Sequence, residues 1–328
     1  MIQDTLKTRV IGIDISFNVT KFAIVDIRGN IIAQNEFLTT EHPTVNEYVS
    51  YLSDQIIELV EANGGYETIR SVGISVPSGN FLTGSIENAT NLPWKGIVPL
   101  AALLRDRLSI AVALANRAHV RALGEHTFGM AHGMKDFIVI TMGYGLGSCF
   151  YSNGHAHIGA NGFGGELGHS CIVEGGRLCG CGKQGCLEAY CAHKGIIANA
   201  KSVMEEFKDT PSIMRDLPEL DPQIIQECCD KGDELAIEVY RRTGHILGVC
   251  LANYASILNP EAIIITGGIS RAGHWLIAPT TDAFEEHVFR NIRNKVKIFA
   301  SRLSYGGSSD VLGASALAWH VKEYSLFK

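Results

Sequence analysis

Residues 164–188, GGELGHSCIVEGGRLCGCGKQGCLE, set His169 ahead of Cys179, Cys181 and Cys186 at tight spacing. Imidazole and thiolate are the donors zinc prefers, and four of them close a tetrahedral structural site. Glycines at 175, 176, 180, 182 and 185 let so short a loop turn back on one ion without steric cost. A glycine-rich loop with incidental buried thiols is the bland alternative. Disulfides are a second one, although Cys179 and Cys181 are too close together to pair comfortably. The reading preferred here is a loop pinned by zinc.

The same stretch, E-x-G-H followed by C-x-C-G-x3-C-L-E, resembles the signature of the ROK family (repressors, open reading frames and sugar kinases). The likeness extends along nearly the whole chain. It implies an α/β, two-lobed actin-like and hexokinase-like (ribonuclease H-like) fold. It also implies that Glu166 and His169 hydrogen-bond hydroxyls of a hexose or hexosamine, that His169 ligates zinc as well, and that Glu188 reaches the sugar. Carboxylates accept from adjacent hydroxyls, and a metal on one imidazole nitrogen fixes where the other points.

Composition bounds the remaining classes. The chain has 328 residues and 46% hydrophobic content, enough for one large core or two smaller lobes. No apolar run approaches the roughly 20 residues of a membrane span. Met1 to Arg9 is polar and of mixed charge, unlike a signal or transit peptide. Nine cysteines without a secretory signal fit a reducing compartment, so a cytoplasmic location is expected. A net charge of −6 argues against direct nucleic-acid binding. Nine residues ahead of Val10 leave no room for the winged-helix domain that ROK repressors carry there, so a repressor acting alone is not expected. A homodimer is what the resemblance implies.

Along the chain, Val10–Asp14, Lys21–Asp26 and Ile31–Phe37 read as strands, with Arg28-Gly29-Asn30 as the turn between the last two. A helix over 44–63 follows, with Thr44 and Glu47 as a capping box and Gly64 as its stop. Val72–Val76 and Ile110–Leu114 read as buried strands, as do Phe137–Met142 and Ala262–Thr266. Ala236–Leu258 and Ser309–Tyr324 read as helices. The expected lobes are 1–115, completed by a C-terminal helix over 309–328, and 116–308 with the zinc loop.

The resemblance then divides. On the sugar side, Ser78-Gly79, Asn91-Leu92-Pro93-Trp94 and Asn116 are similar to the family's pocket segments, and Gly79, Asn91 and Asn116 join Glu166, His169 and Glu188 as expected sugar contacts. On the catalytic side the family's N-D-A becomes Asn116-Arg117-Ala118, so Arg117 stands where the general base belongs. A guanidinium can hold a hydroxyl but offers no acceptor and cannot take its proton. The phosphate loop D-x-G-G-T becomes Asp14-Ile15-Ser16-Phe17-Asn18, which keeps only Asp14, the residue placed to organise magnesium. The second loop keeps Gly143 and Gly145 around Tyr144, and Gly267-Gly268 resembles the adenosine-side turn. No catalytic residue is intact, seating of ATP and magnesium is in doubt, and a sugar sensor with weak or absent phosphotransfer is expected. The alternative is an active ATP-dependent sugar kinase.

Overall fold

A run that is apolar on both faces is stable as a strand only where layers cover it on each side. Arg9–Ile15 (β1) is such a run and lies at the centre of a five-stranded sheet. The structure, a computed structural model, describes residues 7–89, 92–303 and 309–321. The chain divides into two compact units, one of Met1–His132, Ile158–Phe163 and Gly306–Lys328, the other of Gly133–His157 and Gly164–Tyr305.

In the first unit, β1 is followed by β2 (Val19–Asp26), β3 (Ile31–Leu38), α1 (Val45–Glu61) and β4 (Ile69–Val76). A small sheet of β5 (Gly79–Asn80), β6 (Ser85–Glu87) and β7 (Ile97–Val98) precedes α2 (Leu100–Leu108), β8 (Ala111–Asn116) and α3 (Arg117–Phe128). The main sheet has the order β3-β2-β1-β4-β8, antiparallel through the first three strands and parallel from β1 to β8. The expected capping box is present: Glu47 N donates to Thr44 Oγ1 at 3.3 Å and Thr44 N to Glu47 Oε2 at 3.3 Å. It starts α1 so that Tyr48, Val49, Leu52, Ile56 and Val60 face the sheet.

The C-terminal helix Ser309–Trp319 covers the other face, where Val311 and Ala318 pack on Val10, Ala23 and Val25. Its approach is unusually close and needs glycine beneath it. A Cβ on Gly12 would lie 2.3 Å from Val311 O, and one on Gly73 would lie 2.0 Å from Ala314 O. Ser71 Oγ completes the seat by donating to Ala318 O at 2.7 Å. The chain divides after His132 rather than at the expected 115/116. The reason is packing: α3 lies on the same C-terminal helix, with a Cβ on Gly313 placed 2.5 Å from Val120 O and Arg121 Nη2 donating to Asp310 Oδ2 at 2.8 Å.

The second unit contains β9 (Phe137–Met142), β10 (Leu146–Ser152), β11 (His155–Ala156), α4 (Glu188–Cys191), α5 (His193–Glu206), α6 (Pro222–Asp230) and α7 (Glu234–Leu258). Then come β12 (Ala262–Thr266), α8 (His274–His287) and β13 (Lys297–Ala300). Its sheet runs β11-β10-β9-β12-β13, again antiparallel on one side of the first long strand and parallel on the other. Asn259 ends α7 in a left-handed conformation just before Pro260, and the buried run of β12 leads straight into Gly267. Among the described residues no helix is long and apolar enough to cross a membrane.

Candidate functional site

The second unit gathers the four residues of the opening motif. One donor atom from each of His169, Cys179, Cys181 and Cys186 lies within 4.8 Å of the others. Cys179 Sγ is 3.8 Å from His169 Nδ1, and Cys181 Sγ is 3.7 Å from Cys186 Sγ. Bonds of about 2.0–2.3 Å to a tetrahedral zinc require donor–donor edges of roughly 3.3–3.8 Å, so this donor set suits such an ion.

The loop that carries it is a small hairpin. Cys179 N donates to Lys183 O at 2.8 Å, and Gly185 N to Arg177 O at 2.8 Å. Gly185 is obligatory, since its φ is +79° and a Cβ there would lie 1.8 Å from Val173 O. Gly180, expected to matter equally, has neither a positive φ nor a close neighbour. An anchor that motif reading missed is Arg177. Its guanidinium lies 4.6 Å from the Tyr190 ring centroid and donates to Asn199 Oδ1 at 2.7 Å, fastening the hairpin to α5. An arginine in a glycine-rich loop reads as solvated until its partners on α5 are seen.

Glu188 opens α4 beneath this loop. Its Oε2 accepts from Leu146 N at 2.9 Å, and Cys179 Sγ lies 3.4 Å from its Oε1. One carboxylate oxygen is therefore spent on holding the β9–β10 turn. Glu166 differs, with its side chain at the surface. Loss of water around its carboxyl raises its pKa, while His169 opposes the shift and Glu188 adds to it.

Of the glycines expected on the nucleotide side in this unit, Gly145 and Gly267 are held by close neighbours, whereas a Cβ on Gly143 or Gly268 would meet none within 4 Å. Gly143 and Gly145 flank Tyr144, which is 88% exposed and lies over His193 with ring centroids 5.0 Å apart. His193 N donates to Gly143 O at 3.0 Å, and its Nε2 is 2.9 Å from Asp221 Oδ2. A Cβ on Gly145 would meet Glu188 Oε2 at 2.8 Å. Gly267 has φ +97° and would strike Met142 O at 2.3 Å, whereas Gly268 faces open space.

In the first unit, Gly79 is buried against β8, where a Cβ would lie 2.8 Å from Ala115 O. Asn116 caps α3, its Oδ1 accepting from Ala118 N at 2.9 Å. Asn91 lies outside the described residues. Asn80, not singled out by motif, donates from Nδ2 to Glu87 Oε1 at 2.9 Å and to Asn161 O at 3.0 Å, tying residues 158–163 into this unit.

Arg117, which stands where the general base belongs, turns onto Asp14. Its Nη2 donates to Asp14 Oδ1 at 3.1 Å and to Ile15 O at 3.0 Å, and Nε donates to Asp14 Oδ1 at 3.3 Å. Ser75 Oγ adds a hydrogen bond to the same oxygen at 2.9 Å. Burial holds the Asp14 carboxyl above the ordinary range, Arg117 pulls it down, and Asp310 pushes it up. The turn after Asp14 is closed on itself. Ser16 N donates to Val19 O at 3.0 Å and Val19 N to Ser16 Oγ at 3.1 Å, while Phe17 stands 52% exposed.

Residues 10–321 match the ROK family. The chain belongs to the ROK family. It is 30% identical to a glucokinase of Halalkalibacterium halodurans over 95% of this chain and 94% of that one. It is 26% identical to a xylose repressor of Caldicellulosiruptor bescii, covering 94% of this chain and 77% of the repressor. A ROK glucokinase of Streptomyces griseus, solved with glucose and AMPPNP, superposes with a TM-score of 0.78 at 28% identity, over 95% of this chain and 100% of that one. The fold is thus the two-lobed actin-like, hexokinase-like one of ROK sugar kinases, and the lineage includes both sugar kinases and sugar-responsive regulators.

Proposed function

We propose that this ROK protein binds a hexose or hexosamine as a sensor and has given up phosphotransfer, with a structural zinc at His169, Cys179, Cys181 and Cys186. The observation that carries the reading is the Arg117–Asp14 ion pair. The residue standing in the base position cannot accept a proton, and it also occupies the carboxylate that a kinase of this family gives to magnesium. Losing a general base alone costs roughly 10²–10⁴ in rate. Zinc, when bound, would fix the His169 ring. Nδ1 faces Cys179, which leaves Nε2 for a sugar hydroxyl. Glu166, an exposed residue whose carboxyl meets no hydrogen-bond donor among the described residues, is the acceptor we assign to the sugar hydroxyls.

The rival is an ATP-dependent sugar kinase, favoured by the glucokinases among the relatives. Calorimetry over a panel of hexoses and hexosamines, beside an ADP-release assay, separates the two. The expected result is sugar binding that is indifferent to magnesium-ATP, with no ADP formed above background. Robust turnover that survives Arg117→Ala would overturn the sensor reading. Two variants sharpen the binding claim. Hydrogen bonds to a charged group are worth about 1.5–3 kcal/mol, so Glu166→Gln should weaken sugar binding about tenfold or more at an unchanged melting temperature. Glu188→Gln should lower both quantities, because that carboxylate also holds Leu146 N.

A further inference from the structure

Cys171 stands outside the four-donor cluster and outside the family motif. It is exposed, as Cys181 is, while the remaining cysteines are buried. It faces Cys186 across an antiparallel bridge. Ile172 N donates to Gly185 O at 2.8 Å and Leu187 N to Ser170 O at 3.0 Å, which makes Cys171 and Cys186 a non-hydrogen-bonded pair. Such pairs bring Cα atoms to about 4.5 Å with both side chains on one face. Disulfides span Cα separations of about 4.4–6.8 Å. Gly185 also leaves room for the first thiol, since a Cβ there would lie 3.1 Å from Cys171 Sγ. Rotation of Cys171 about its Cα–Cβ bond is the movement that would join the two sulfurs.

We propose that Cys171 and Cys186 are a peroxide-responsive pair whose disulfide removes one ligand from the metal and releases it; this rests on the zinc reading above. Cys171 is exposed and gives no electron pair to the cluster, so its sulfur, once ionised, is the first nucleophile. It attacks hydrogen peroxide, the O–O bond breaks, and the products are a sulfenic acid and hydroxide. The Cys186 thiolate then leaves the metal and attacks the sulfenic sulfur. The S–S bond forms and a second hydroxide departs, so two sulfur atoms have given two electrons to one peroxide. His169, Cys179 and Cys181 remain as three donors, too few to close the tetrahedral site. Because His169 ligates the same ion, loss of metal frees its ring, and oxidation would lower sugar affinity as well.

The competing outcome is a Cys181–Cys186 disulfide, since those sulfurs are only 3.7 Å apart. Trypsin resolves it, because cleavage after Arg177 and Lys183 places Cys171, the Cys179–Cys181 pair and Cys186 on three separate peptides. The experiment treats the full chain, as purified without chelator, with hydrogen peroxide. Zinc release is followed with a metallochromic dye, and non-reduced tryptic peptides are sequenced by mass spectrometry. Wild type should release its zinc and yield a Cys171–Cys186 peptide, and dithiothreitol with added zinc should reverse both. Cys171→Ser should keep the wild-type melting temperature and release zinc at least about tenfold more slowly. Release at the wild-type rate from Cys171→Ser, or mapping of Cys181–Cys186 alone, overturns the proposal. Protein that carries no zinc before peroxide overturns the zinc reading instead, and the peptide map still decides whether Cys171 and Cys186 pair.

Discussion

Two hairpins hold matching places in two sheets of the same strand order, β1–β2 in the first unit and β9–β10 in the second. In the first, the turn carries Phe17, two of its amides are satisfied within the turn, and the preceding Asp14 is held by Arg117 and Ser75. In the second, Gly143 and Gly145 persist; the Glu188 carboxylate beside Gly145 leaves no room for a side chain there, while Gly143 has open space around it. The two cases teach different things about a degenerate loop. Where a residue that departs from the family pattern finds a partner, as Arg117 does in Asp14, the departure is built into the packing. Where glycines remain, packing accounts for Gly145 and Gly267 but not for Gly143 and Gly268, so glycine counts alone are weak evidence for a nucleotide.

The largest effect that would break the comparison lies in the second unit. Structural zinc contributes on the order of 10–16 kcal/mol of apparent binding free energy, so Cys181→Ser should lower thermal stability steeply and abolish sugar binding with it. Metal analysis alongside melting curves checks this, and an unchanged melting temperature would remove the metal from the account.

Next in size is the buried pair of the first unit. Arg117→Ala leaves Asp14 without its counter-charge, a change that costs about 3–5 kcal/mol where burial is complete. The Arg117 side chain is 26% exposed, so the lower part of that range is expected. Adding Asp14→Asn should recover most of the loss in urea denaturation. Burial already raises Asp14 above 3.8, so the single variant's deficit should shrink as pH falls to 3.8 and grow as pH rises through the folded-state value. A deficit independent of pH would mean that the lost packing of the guanidinium stem, not the charge, was responsible.

The smallest effect contrasts a surface cluster of the second unit with that buried one. Glu238 pairs with Arg241 and Arg242 along α7, and these hydrogen bonds bring its pKa from 4.5 down to about 2. A depressed carboxyl adds stability that is present above 4.5 and lost as pH falls through about 2. The Glu238 side chain is 19% exposed but its arginine partners are more open, so Glu238→Gln should cost on the order of 1 kcal/mol at neutral pH and should flatten only the acid limb of the stability profile. An effect as large as that of Arg117→Ala would erase the distinction between the two clusters.

The elements legible in the sequence were those whose signal is local. β9 and β12 fall where their apolar runs lie, and α1 begins at its capping box. The cysteine and histidine spacing likewise located a cluster that the fold brings together. What stayed hidden depends on partners distant in sequence. Arg117 reads as a missing base, and only the fold shows that it is 103 residues from the carboxylate it neutralises. Arg177 reads as a loop charge until Asn199 and Tyr190 meet it. The compact unit runs on to His132, past the expected lobe boundary at 115/116, for the same reason, because α3 packs on a helix near the other end of the sequence. Glu188, which the motif assigns to the sugar, commits one carboxylate oxygen to Leu146 N.

The close seat of the C-terminal helix on β1 and β4 has a consequence for biosynthesis. Ser71 and its acceptor Ala318 are 247 residues apart, and Gly12 and Gly73 present bare backbone until that helix arrives. During translation the strands of the first unit emerge early, at about 5–20 residues per second, and must wait with one face uncovered while the whole second unit is made. That interval is when a chaperone has most to protect, and a ribosome stalled before Ser309 would release a chain whose first-made sheet still lacks its cover.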